Sequence, residues 1–189
     1  MNEGITDDVR KREEDYFRRK DRELLEKMRA AAAADQTRKE LGTATGIEDP
    51  ALLQELESLG FTPGTIALLP LVPVLQVAWA EGGVSAAERA MIVNLARQRG
   101  VQGGSAADAI LTEWLDTRPA EDTFRKASRL IAAMLDQPAA GGQQLSADEL
   151  IRYCEQIASA SGGLFGIGKV SAEERAALEQ IARGLKSRP

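Results

Sequence analysis

The sequence predicts an all-α protein that consists of a charged N-terminal helix, a linker and a helical domain of two related halves. Three observations lead to this prediction. Aromatic residues make up only 4% of the 189 residues while Ala, Leu, Glu and Arg abound, a composition that favours helices. Apolar residues recur at helical spacing, and no segment alternates as a strand does. Several segments begin with a serine followed three residues later by an acid, which is typical of helix starts.

The first predicted helix runs from about Thr6 to Ala34. It contains no Gly or Pro, and residues 1–40 hold 11 acidic and 11 basic side chains. Opposite charges stand at i, i+4, as in Asp15 and Arg19, which supports a helix. A helix this polar cannot be a core element, so it either stands in solvent or lays its apolar residues on another surface.

An apolar stripe interrupts the charge of this helix. It consists of five side chains: Tyr16, Phe17, Leu24, Leu25 and Met28. Two interpretations stay open. The helix either folds back on its own domain or pairs with a second copy, or it docks into a groove on another protein, as helical ligands with apolar anchors do. Its charges are mixed rather than basic, which argues against adsorption to a membrane surface.

Residues 35–49 carry Gly, Thr and Asp and have no apolar period, which predicts a linker. A domain of short amphipathic helices follows at residues 50–189. Its first helix is expected to end at Gly60. Thr62 is expected to cap the next helix, which prolines at positions 70 and 73 should kink or delay.

The serine-acid pairs could be acidic metal sites or helix caps. A hard cation requires several oxygen ligands. Glu81 with Glu88 supplies only two carboxylates, and the matching Ser161 removes one from the second copy, so capping is the favoured interpretation. The four pairs are Ser85-x-x-Glu88, Ser105-x-x-Asp108, Ser146-x-x-Glu149 and Ser171-x-x-Glu174.

An internal repeat joins residues 77–96 to residues 157–182. Each copy has an apolar helix ending in Gly-Gly, then Val-Ser-Ala-x-Glu-Arg-Ala, then a second helix, which predicts two related halves. The longer loop of the second copy, "GLFGIGKVS", matches most of the phosphate-binding loop motif. However, Val170 stands where Ser or Thr would hold magnesium, so we expect no nucleotide cofactor.

The composition excludes several classes of chemistry. The chain has no histidine and a single cysteine, Cys154, which removes histidine-based nucleophile activation and thiolate zinc sites. We therefore expect no enzyme, no catalytic residue, no metal and no cofactor. Cys154 shares a helical face with apolar residues, which predicts a buried core thiol.

The net charge of −5 falls entirely on residues 41–189. No basic face is apparent, so we expect no nucleic-acid partner. No apolar run is long enough for a membrane span. The N-terminal sequence does not resemble a signal peptide, so we expect a cytoplasmic protein.

The segment "VAWAEGGVSAAERAMIVNLA" and its second copy resemble the TerB-like family, which includes tellurite-resistance protein B. The resemblance covers residues 50–189 and implies an all-α fold of two related halves. The family is associated with stress responses, metal binding and scaffolding, so one alternative function is a stress-associated domain that binds a divalent metal or acts as a scaffold. The acidic loop cluster of the family reads Glu81-Gly82-Gly83-Val84 here, and Ser161-Gly162-Gly163 in the second copy.

Residues 13–29 look like the inhibitory helix of the mitochondrial ATP synthase inhibitor protein. The matching residues are Glu13, Glu14, Tyr16, Phe17, Arg18, Lys20, Arg22, Glu23 and Leu25. With Leu24 and Met28 they form the predicted partner-binding set.

In that family the helix inserts between catalytic subunits of the rotary motor and blocks ATP hydrolysis. The resemblance implies that Tyr16 and Phe17 anchor the helix. It also implies polar contacts from Glu14, Arg18 and Glu23, with the catalytic head of an ATP synthase as the partner. The histidine-rich dimerisation coiled coil of the family is replaced here by a linker and a domain.

Overall fold

The computed structural model describes residues 3–135, with side chains from Glu13 onward, and residues 146–160 and 170–186. All regular structure within these ranges is helical, which confirms the predicted all-α class. Eight α-helices and one 3₁₀ helix lie in the described ranges: α1 Glu3–Thr45, α2 Pro50–Ser58, the 3₁₀ helix Ile66–Leu71, α3 Val72–Ala78, α4 Ala86–Gln98, α5 Ala106–Asp116, α6 Glu121–Leu135, α7 Ala147–Ala160 and α8 Ala172–Lys186.

The chain divides into two compact units, a first unit at Met1–Lys39 and a second unit at Glu40–Pro189. The predicted helix end at Ala34 is wrong, and so is the irregular linker over residues 35–45, because α1 continues to Thr45. The hydroxyl of Thr37 donates to the Ala33 carbonyl at 3.0 Å. Such bonds to the carbonyl four residues earlier let threonine fit within a helix.

Two further features explain where α1 ends. Leu41, at the start of the second unit, is fully buried in the core of that unit, which favours continued helix there over a loop. Gly46 has a φ of +74°, and its N–H donates to the Gly42 carbonyl at 2.8 Å. Because glycine adopts this left-handed conformation without a steric penalty, α1 stops at Gly46.

The prolines delay the helix after α2, as predicted. Gly60 ends α2 with a φ of +81°. The prediction that Thr62 caps the following helix is wrong, since α3 begins only at Val72 and the Thr62 N–H donates to the Thr65 hydroxyl at 2.8 Å. Pro70 has no N–H for the α-helical pattern, so the segment before α3 forms a 3₁₀ helix.

The core of the second unit surrounds α3. Every residue of α3 is buried, and this short helix packs against α4, α6, α7 and α8. The large side chains that fill the core include Phe124, Leu75 and Ile131. Each contributes about 1.5–3 kcal/mol by leaving water. Cys154 is buried among them, which confirms the prediction of a core thiol.

Serine caps begin four helices of the second unit, as predicted. The Glu88 N–H donates to the Ser85 hydroxyl at 3.2 Å and the Ser85 N–H donates to the Glu88 carboxylate at 2.7 Å, so α4 has a complete capping box. In α8 the corresponding bonds measure 3.1 Å and 2.8 Å. The relation between two halves of the domain stays a prediction, and most of the "GLFGIGKVS" loop lies outside the described residues.

The other two serines make the hydroxyl bond alone. The Glu149 N–H donates to the Ser146 hydroxyl at 3.0 Å, and the Asp108 N–H donates to the Ser105 hydroxyl at 3.2 Å. The Asp108 carboxylate instead accepts from the Gly104 N–H at 2.8 Å and from the Arg97 guanidinium at 2.6 Å. These donors, the Gly104 N–H first, lower the pKa of Asp108.

Candidate protein-docking site

The apolar stripe of α1 stands at the surface. Tyr16, Phe17, Leu24, Leu25 and Met28 are each between 52% and 62% exposed. They are also all of the large hydrophobic side chains that the described part of the chain exposes. Single exposed apolar residues are ordinary, whereas an exposed group of them on one element marks an interaction surface.

Helical geometry brings three of these side chains onto one line. At about 100° per residue, Phe17, Leu24 and Met28 project within about 40° of one another. Leu25 lies on one flank of this line and Tyr16 on the other. The rings of Tyr16 and Phe17 meet edge to face with centroids 5.8 Å apart, an arrangement that aromatic pairs favour. Phe17, Leu24 and Met28 therefore form a line of anchors. The Tyr16–Phe17 pair makes this line wider at its N-terminal end.

The charges beside the stripe pair within the helix. The Arg18 guanidinium lies 3.8 Å from the Glu14 carboxylate, and the Lys20 ammonium lies 4.0 Å from the Glu23 carboxylate. Lys20 also stands over the Tyr16 ring, 5.8 Å from its centroid. Exposed pairs of this kind contribute little to stability, so a partner can draw these charges into new contacts at small cost.

The predicted partner-binding residues do not all share one face. Glu13 and Lys20 border the line of anchors on the Tyr16 side, and Glu14 borders it on the Leu25 side. Arg18 stands about 100° from the centre of the line and Glu23 about 120° from it, beside Tyr16. Arg22 projects about 140° away, which places it on the opposite side of the helix.

One residue of this surface is missing from the predicted set. Asp21 is exposed and borders the line of anchors on the Leu25 side, about 40° from its centre, because it follows Phe17 by four residues and precedes Leu24 by three. That spacing was the signal that could have identified it. The resemblance to the inhibitory helix does not include this position.

Two buried carboxylates lie in the second unit. Glu88 is 2% exposed and Glu174 1%, and each accepts the N–H of its capping serine. Burial raises the pKa of Glu88 despite the Ser85 bonds, and the charges of Glu174 and Glu81 add to the rise. Among the described residues no group of three or more His, Cys, Asp or Glu is arranged to hold a metal ion. The capping role accounts for the burial of both carboxylates.

A pocket of about 110 Å³ opens between α4 and α7. Its lining combines apolar side chains, such as Met91 and Ile157, with the amides of Asn94, Gln98 and Gln156. Tyr153 supplies its one aromatic ring. The lining brings no carboxylate together with a base, so the pocket offers no acid–base pair.

The single thiol is not a reactive group. Burial raises the pKa of Cys154 to about 12, so almost none of it is thiolate near neutral pH.

Comparison with protein-family models, with curated proteins and with solved structures found no match to this chain. No helix in the described ranges combines the length and the apolar character that crossing a membrane requires. The TerB-like resemblance and the inhibitory-helix resemblance therefore stay predictions.

Proposed function

We propose that this protein is a regulator or adaptor without enzymatic activity, whose N-terminal helix docks into a groove on a protein partner. One observation carries the proposal: the five exposed large hydrophobic side chains of the described residues all lie between Tyr16 and Met28 of one charged helix. A helix-in-groove ligand presents its anchors in this way.

The free energy for docking comes from the apolar stripe. Removing apolar surface from water stabilises a complex by about 25 cal/mol per Å², and aromatic anchors contribute most when they fill pockets. Tyr16 and Phe17 are the aromatic anchors here. Leu24, Leu25 and Met28 extend the contact by about three further turns.

We propose the catalytic head of a rotary ATP synthase as the partner, with inhibition of ATP hydrolysis as the outcome. The ungapped resemblance of residues 13–29 to the inhibitory helix of the mitochondrial inhibitor protein supports this partner. The proposal places the protein in the cytoplasm and requires no cofactor and no nucleic acid.

We further propose that residues 50–189 form a TerB-like domain, which anchors or regulates the docking helix. The matching capping boxes at the starts of α4 and α8 support this part of the proposal. The alternative is a stress-associated TerB-like domain that binds a divalent metal or acts as a scaffold. Among the described residues, no group of three or more His, Cys, Asp or Glu is arranged to hold a metal ion.

The binding test uses the purified catalytic head and the immobilised full-length protein. Replacing both Tyr16→Ala and Phe17→Ala should weaken binding by about tenfold or more, because truncated anchors commonly cost over 1 kcal/mol each. The matched control is Arg19→Ala with Glu26→Ala on the opposite side of the helix, which should bind like the wild type. Absence of wild-type binding, or equal binding of the two double variants, would contradict the proposal.

A further inference from the structure

We propose that Asp21 determines the specificity of the stripe: it excludes a second copy of this chain and selects a partner groove that places a cation opposite its carboxylate. This inference rests on the proposed docking function and names the chemistry of the partner. It does not depend on which protein the partner is.

The position of Asp21 follows from the helical repeat. In a heptad that assigns Phe17 and Leu24 to position d, position a holds Glu14, Asp21 and Met28. Asp21 therefore lies on the contact seam itself, between apolar neighbours. Lys20 and Lys27 occupy position g beside the seam. All of these side chains are exposed.

Pairing with a second copy is unfavourable in both orientations. In a parallel pair, position a faces position a, so Asp21 would face Asp21 and Glu14 would face Glu14. In an antiparallel pair that brings the two Phe17–Met28 segments together, Asp21 would lie against Phe17 or Leu24 of the other copy without a cation. Both arrangements remove a carboxylate from water without a partner, which is unfavourable.

A different protein can satisfy the same seam. An Arg or Lys that faces Asp21 across an apolar groove would form a charge-assisted hydrogen bond within the contact. Acidic side chains on one edge of the groove would complement Lys20 and Lys27. This charge pattern fits a protein groove of the opposite pattern, and it repels an identical helix.

The first arm of the test measures self-association of the full-length protein by sedimentation velocity. Asp21→Leu makes the seam apolar from Phe17 to Met28, so this variant should form dimers where the wild type does not. Asp15→Leu makes the same chemical change on the outward side and should behave like the wild type. Circular dichroism checks that each variant remains helical.

Two results of this arm would overturn the inference. One is a wild-type dimer that dissociates when Phe17→Ala and Leu24→Ala are introduced. The other is an Asp21→Leu variant whose association state equals that of the wild type.

The second arm uses a synthetic helical peptide as the probe, with Leu along its seam and one Lys placed to face Asp21. A matched peptide carries Glu at that position. The Lys peptide should bind the full-length protein about tenfold or more tightly than the Glu peptide, and Asp21→Asn should remove this preference. Equal or undetectable binding of the two peptides would overturn the inference. Neither arm uses the ATP synthase head, so failure of that proposal would be seen separately.

Discussion

Phe17 and Phe124 are the same side chain in two opposite settings. Phe17, in the first unit, is 62% exposed, whereas Phe124, in the second unit, is 1% exposed. Around Phe17 the exposed charges pair with one another along the helix, as Glu14 and Arg18 do. Around Phe124 the apolar residues of α6 face a continuous core.

The comparison shows that the extent of the apolar face distinguishes a helix that packs in a core from a helix that can dock on another molecule. In α6 the buried positions recur through the helix at Phe124, Ala127, Leu130 and Ile131, which is the pattern of a core-facing helix. In α1 the apolar line is short and a carboxylate interrupts it at Asp21. A core element would not tolerate that interruption, whereas a docking surface can use it for specificity.

The largest expected effect is the difference in stability lost when each of these two phenylalanines is replaced by alanine. Phe124→Ala should lower the free energy of unfolding by about 3–5 kcal/mol, because it opens a cavity in a packed core. Phe17→Ala should change it by less than about 0.5 kcal/mol, because this side chain stands in water. Urea unfolding followed by circular dichroism measures both.

The two variants serve as controls for each other, since the chemical change is identical. A similar loss of stability in both would show that Phe17 is also packed in the folded protein. The distinction between a docking stripe and a core face would then be lost.

A smaller loss of stability should distinguish a capping serine of the second unit from a serine within a helix. Ser171→Ala should cost about 1 kcal/mol, because it removes the acceptor for the Glu174 N–H at the start of α8. Ser159→Ala is the matched control. Its hydroxyl donates only to the Glu155 carbonyl within α7, and the change should stay within about 0.5 kcal/mol. Equal losses in thermal unfolding would contradict the capping role.

The smallest expected effect is a pH dependence of stability that arises from Glu88. The exposed Glu14 serves as the comparison. Because the pKa of Glu88 is raised in the folded state, the folded protein holds this proton more tightly than the unfolded chain. Stability from this group is therefore full below the ordinary pKa of a glutamate and is lost as pH rises through the raised value.

Glu88→Gln tests this directly, since glutamine keeps the acceptor of the capping box without the charge. The variant should be the more thermally stable protein at neutral pH, and the difference should shrink as the pH falls through the raised pKa of Glu88 to the ordinary pKa of a glutamate. Glu14→Gln makes the same change at an exposed side chain and should leave thermal stability at neutral pH within about 0.5 kcal/mol of the wild type. A Glu88→Gln variant that is less stable at neutral pH would show that the charged form is needed for the cap.

Local signals allowed much of the fold to be predicted from the sequence. The capping boxes at Ser85 and Ser171 depend on residues three apart, and the delay before α3 follows from Pro70, which lacks an N–H. The end of α1 could not be predicted in the same way. It depends on burial of Leu41 in the core of the second unit, which is a tertiary effect that overrides the loop-like composition of residues 35–45.

The candidate site, like the fold, could be predicted only in part from the sequence. Its apolar residues and their helical spacing could be read from the sequence. The structure adds that they are exposed, while the other large apolar side chains of the described residues are more buried. Asp21 was overlooked because single acids are abundant along this helix. Only the heptad position distinguishes Asp21 and Glu14, which lie on the seam, from the other acids of this helix. The partner could not be derived, since its groove lies on another molecule.

The rate of ATP hydrolysis by the purified ATP synthase head of the same organism tests the central claim most directly. The full-length protein should inhibit hydrolysis. The Tyr16→Ala and Phe17→Ala double variant should lose that inhibition, and the Arg19→Ala and Glu26→Ala control should keep it. An unchanged hydrolysis rate with the wild-type protein, or equal inhibition by wild type and the Tyr16/Phe17 variant, would contradict the account.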